Sequence, residues 1–162
     1  MKQSIEPINS NEVLWIKEQL ENAAKFVAAF SPQDSGARTL QPGTPTSGVP
    51  RAPDLAALDR AFAAWLDSGP AVAEINAIIN CVGIAFGQAL VDGIGLKWVI
   101  ATDEHGTDLA VYGLPNRGDV LVYPANFVAK RWERRETNFL EEAYRRITKD
   151  VRAIARPWQA SE

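Results

Sequence analysis

The stretch from Ser31 to Pro53 restricts this chain more than any other, because both helical and strand patterning stop there. It carries five of the ten prolines (Pro32, Pro42, Pro45, Pro50, Pro53), three glycines and several Ser and Thr. Proline fixes φ and lacks an amide donor, so neither a continuous helix nor a central strand can run through it. It reads as an exposed linker or long surface loop, with a proline-rich ligand for an aromatic groove as the sharper alternative. The chain then divides into an amphipathic helix within residues 1–30, a Pro-rich linker at 31–53 and an α+β domain at 54–157.

The first helix is read from Asn11 to Phe30, where Val13, Leu14, Ile16, Leu20, Ala24 and Val27 recur at helical intervals. It would be an appendage to a core that begins near Asp54. Asp54 is a good N-cap for a helix whose apolar face is Leu55, Leu58, Phe62, Trp65 and Leu66, ended by Ser68-Gly69-Pro70. A second helix follows from Ala71 to about Val91, with Val72, Ile75, Ile78, Ile79, Val82, Phe86 and Leu90 on one broad side. Asn76, Asn80, Gly83 and Gly87 share a narrow arc beside that stripe. Glycine inside a helix costs about 0.5–1 kcal/mol, so the arc predicts close approach by another element. The floor of a ligand groove is the alternative.

Leu96–Asp103 and Thr107–Gly113 are β-branched and aromatic, joined by a turn holding His105-Gly106. Pro115–Gly118 makes another turn into Asp119–Tyr123, which predicts a three-stranded antiparallel meander. Helices are expected on one face of it, and small or aromatic groups over much of the other. Pro124 suits the first turn of a short helix through Phe127, Val128 and Trp132, ending near Glu136 or Thr137. Asn138 with Glu141 resembles a capping pair for a last helix with Leu140, Tyr144, Ile147, Val151 and Ile154 inward. Arg145, Lys149, Arg152 and Arg156 form its basic outer stripe, and Pro157 closes it.

Composition now narrows function. At 162 residues the chain suits one domain, and a net charge of −3 argues against a chain-wide affinity for nucleic acid. One cysteine and one histidine exclude an internal disulfide and leave too few soft ligands for structural zinc. No metal or other cofactor is expected. The N-terminus lacks the apolar stretch of a secretory signal, and Ala77–Leu90, interrupted by Asn80 and Gln88, reads as a buried helix rather than a membrane span. A cytoplasmic protein without a membrane partner is the plain expectation. Cys81, set among Ile78, Ile79, Val82 and Ile84, reads as an inert buried thiol.

Two clusters could carry chemistry. Residues 126–156 hold nine basic and five acidic groups, whereas 1–125 hold eight and fourteen. The basic C-terminal helix could therefore meet an anion or nucleic acid, although interleaved Glu residues fit ordinary ion pairs at helical spacing. The second cluster is the turn Asp103, Glu104, His105 and Asp108, whose carboxylates and imidazole could serve a small hydrolase or a metal-assisted enzyme. Neighbouring positions on a tight turn point apart, however, and turns favour these residues for local reasons. No catalytic residue is assigned.

From about Leu55 to Ile147 the chain resembles a family of small bacterial domains of unknown function, number 3806. The likeness lies in Leu58-Asp59-Arg60 with Trp65, Asn76, Gly83-Ile84-Ala85-Phe86-Gly87 and Leu96-Lys97-Trp98-Val99. It continues in Thr102–Leu109 and in Tyr123-Pro124-Ala125-Asn126-Phe127-Val128-Ala129-Lys130-Arg131, and the order of these segments is more specific than any one of them. The resemblance implies an α+β domain with no established activity and carries over no functional residue. The expectation is a bacterial interaction domain that binds a protein partner near Trp98, Tyr112, Tyr123, Lys130, Arg131 and Trp132, since aromatic and arginine side chains dominate binding hot spots.

Overall fold

The structure, a computed structural model, describes residues 4–31, 52–104, 106–114 and 119–155. Their elements run β1 (Ser4–Pro7), α1 (Ser10–Phe30), α2 (Leu55–Asp67), α3 (Val72–Ile94), β2 (Lys97–Asp103), β3 (Gly106–Gly113), β4 (Val120–Val122), α4 (Pro124–Glu133) and α5 (Leu140–Ala155). The protein is α+β, as expected, but the sheet has four antiparallel strands in the order β1-β2-β3-β4. The fourth partner is Ser4–Pro7, which pairs with Val99–Thr102 on the edge of the meander. Four residues that include Pro7 give too short a pattern to be read as a strand in isolation.

Alternation sorts the sheet into two faces. Trp98, Leu109, Val111, Val120 and Val122 join the main core under the helices. Val99, Ala101 and Ala110 point the other way and pack with Ile5, Tyr112, Leu121 and Tyr123. The second face is thus the small and aromatic one that the sequence predicts. The turns at 105 and 115–118 lie outside the described residues, as does the Pro-rich stretch at 32–51; Gly106 enters β3 with φ +130°.

The helix N-termini follow local chemistry. Asn9 and Glu12 form a reciprocal capping box at α1, with bonds of 2.7 and 3.0 Å. Asp54 Oδ2 accepts from the Ala57 amide at 3.3 Å, and Pro124 opens α4. At α5 the expected Asn138–Glu141 pair is not the cap. The Asp59 carboxylate on α2 accepts from the Leu140 amide at 2.9 Å and the Glu141 amide at 3.1 Å, a bond across the tertiary fold. Asn138 itself turns the chain with φ +58°.

Helix α1 is not an appendage. Ile16, Leu20, Ala23, Phe26 and Val27 are buried in the same cluster as Leu58, Phe62 and Val82. The buried stripe follows i, i+4, i+7, i+10 and i+11, which leaves Leu14 62% exposed and Ala24 outside it. Ring contacts at 5.0–6.2 Å between centroids link Phe26, Trp65, Phe62, Phe139, Phe127 and Phe86, so one aromatic path crosses from α1 to α3.

Helix α3 is the centre of the molecule. Its 23 residues, with mean hydropathy 1.6 over the most apolar window, are long and apolar enough by composition to cross a membrane. Here every residue from Cys81 to Gln88 is buried against other elements of the fold. The glycine arc marks the contact with α4 and β2. A Cβ on Gly83 would lie 2.6 Å from Ala125 Cα, and one on Gly87 would overlap the Trp98 ring and Pro124. The seam is filled by protein, so no ligand groove runs along it.

Candidate functional site

The six residues expected to form one binding surface lie in three places. Trp98 is a core residue, only 9% exposed, with its ring over Gly87 and its Nε1 donating to Gln88 Oε1 at 2.8 Å. Gln88 in turn donates to Asp92 Oδ1 at 2.8 Å. Strand parity explains the correction: 98 is an inward position, and burial makes this tryptophan part of the scaffold rather than a contact for partners. Tyr112 and Tyr123 sit on the opposite sheet face. Tyr112 Oη donates to Asp119 Oδ1 at 2.8 Å, and holding that proton raises the phenol above its ordinary pKa of 10.0.

Lys130, Arg131 and Trp132 occupy α4. Lys130 is exposed. Arg131 is pinned, with its guanidinium 4.5 Å from the centroid of Phe127 and its Nε 3.4 Å from Glu136 Oε1. Trp132 is half-buried, and its Nε1 is buried with no hydrogen-bond partner among the described residues.

The turn cluster has a definite placement too. Asp103 closes β2 opposite Gly106, and Asp108 stands on β3 opposite Ala101, which puts both on the face of Val99 and Ala110. Glu104 is exposed in the turn, and His105 lies outside the described residues. Beneath the turn, Thr102 and Thr107 hold their hydroxyls 3.0 Å apart. Among the described residues no three His, Cys, Asp or Glu side chains gather as a metal site. Cys81 is fully enclosed, and burial pushes its thiol up to about 12, so at neutral pH it is protonated and unreactive. On α5, Arg145, Arg146, Lys149 and Arg152 are exposed, with Arg145 3.8 Å from Glu141, and Arg156 lies outside the described residues.

A cleft of about 640 Å³ opens where the α2–α3 turn meets the end of α4. Leu66, Asp67, Gly69 and Pro70 supply one side, Val72 and Ile75 the start of α3, and Trp132, Arg135 and Thr137 the other side. Gly69, at φ +71°, lets the chain reverse between the two helices. Val72 is 85% exposed, although helical periodicity places it on the buried stripe. Residues 71–74 are all exposed, Ala71 provides no side-chain cap, and Val72 lines the cleft, so the positive end of the α3 dipole borders it.

Arg135 frames the other rim. The α4 helix ends at Glu133, and Arg135 turns out of it with φ +58°, its amide donating to Trp132 O at 3.0 Å. This turn lays the guanidinium 4.8 Å from the centroid of Trp132. Leu66, Val72 and Arg135 were missed as site residues, because each reads locally as core or as ordinary basic surface. The Gly69-Pro70 break was the available signal, since a sharp helix–helix turn leaves apolar ends beside each other.

Fold and cleft together define a helix-rich α+β domain with a solvent-open, partly apolar surface site. By its sequence the chain belongs to the family Domain of unknown function (DUF3806), which matches residues 58–144. No curated protein and no solved structure matches it.

Proposed function

We propose that this chain is a non-enzymatic interaction domain of the bacterial cytoplasm, and that it binds a protein partner through the cleft between Val72 and Trp132. One observation carries the reading: a valine 85% exposed stands beside Leu66, Ile75, Trp132 and an aromatic-stacked arginine in one concave site. Exposed apolar groups gain free energy on covering, about 25 cal/mol per Å² of apolar surface removed from water. Tryptophan and arginine are the residues most enriched where such covering is strongest. Of the residues expected from sequence, Trp132 belongs to this site, with Arg131 just behind it on α4.

The test is recovery of a partner from a bacterial lysate by the tagged full chain at increasing bait, beside a Val72→Glu bait. Saturable recovery that Val72→Glu abolishes is the expected result. Equal recovery by both baits, or no saturable partner, overturns the reading.

A further inference from the structure

We infer that the segment taken into this cleft is acidic and aliphatic: a peptide stretch that presents a Leu, Ile or Phe side chain next to an Asp or Glu. The inference rests on the interaction reading above and adds the chemistry of the partner. Leu66, Val72, Ile75 and Trp132 supply the apolar walls. An aliphatic side chain inserted there removes water from an exposed valine and from a tryptophan edge at once.

The charge comes from Arg135. Among the described residues Arg135 makes no ion pair with a carboxylate, and its guanidinium lies over the Trp132 ring. A guanidinium over an aromatic face still has N–H donors to offer, and arginine takes a carboxylate with two parallel bonds. Stacking also orders the side chain before binding, so less rotamer freedom is lost on pairing.

Neighbouring charges fix where that carboxylate goes. Arg131 and Arg134 share the single carboxylate of Glu136, at 3.4 and 3.8 Å, so the α4 rim keeps a positive surplus. Asp67 is the acidic group lining the cleft, and it sits on the α2 side. It repels an acidic partner group there and favours register with the carboxylate over Arg135. Within the lining itself the charged side chains are Arg135 on the α4 side and Asp67 on the α2 side, so a basic group would be drawn to Asp67 and away from the apolar wall of Trp132.

A random heptapeptide phage library panned on the full chain, with Val72→Glu as counter-selection, tests the inference. Val72→Glu places a carboxylate in the first turn of α3, where the helix dipole favours it, so the variant keeps its fold. The expected clones carry Leu, Ile or Phe adjacent to Asp or Glu. Synthetic copies of them should bind Arg135→Gln about tenfold or more weakly, and should weaken as salt rises. Clones that need Val72 but are uncharged or basic, and bind Arg135→Gln as well as wild type, overturn the acidic partner while the interaction reading stands. If no clone prefers wild type over Val72→Glu, both fall.

Discussion

The middle of α3 and its N-terminal end make an instructive contrast. Across its middle every residue from Cys81 to Gln88 is buried, glycines admit the backbone of α4, and the Trp98 Nε1 proton finds Gln88. Toward its N-terminus Val72 stands 85% exposed, Ala71 supplies no cap, and Arg135 across the cleft makes no ion pair among the described residues. The middle is optimised for the folded state, with volume and polar groups matched to the neighbouring elements. The N-terminal end leaves apolar area and charge unmatched, and that surplus is what an interaction site needs. On the proposed function, stability and recognition are separated along one helix, and substitutions in its middle and at its N-terminal end should have opposite signatures.

The sharpest way to break the contrast is Gly83→Ala. Alanine is the better helix former by about 1 kcal/mol, so an uncrowded site would be stabilised. With Ala125 Cα 2.6 Å from the added carbon, we expect urea denaturation to show a net loss of about 2–3 kcal/mol. A neutral result would mean that the seam yields, and the contrast would fail.

Next in size is Asp59→Ala, expected to cost about 2 kcal/mol by stranding the Leu140 and Glu141 amides. This carboxyl also has a pH signature. Desolvation on burial raises its pKa from 3.8, outweighing the amide donors that lower it. Between pH 3.8 and that raised value the folded chain holds a proton that the unfolded chain releases. Its contribution is complete below pH 3.8 and is lost as pH climbs through the raised value. The stability difference between wild type and Asp59→Asn should shrink accordingly, in urea midpoints taken from about pH 3 to about pH 6.

Gln88→Leu is expected to cost about 1–2 kcal/mol, because the buried indole N–H of Trp98 loses its acceptor. The smallest effect belongs to the N-terminal end. Val72→Glu should change stability by about 0.5 kcal/mol or less while abolishing partner recovery. A large loss of stability there would show Val72 to be core after all.

These same residues explain what the sequence could and could not disclose. Gly83 and Gly87 announced a close helix contact because glycine in a helix interior is costly and needs a reason. Cys81, the hairpin strands and Pro124 were likewise legible, since each rests on local patterning or on backbone geometry. Three things were not. Ser4–Pro7 became a strand only because β2 offers it an edge, which is information held elsewhere in the chain. Trp98 was misplaced because aromatic character does not say which face of a strand a residue occupies. Val72 followed the helical period, but period alone does not reveal which turn of a helix is left uncovered. The cleft is invisible for the same reason, as it exists only where α2, α3 and α4 converge.

The bond from Asp59 to the start of α5 spans 81 residues of sequence. It ties the opening of the family-matched stretch almost to its close, beside the Phe62–Phe139 ring contact that joins the same two segments. Loop closure of that length carries an entropic cost of several kcal/mol that must be met before the bond contributes anything. The two amides can be met only when residues 140 and 141 reach Asp59, so this cap, unlike the Asn9–Glu12 box, cannot be formed by local sequence.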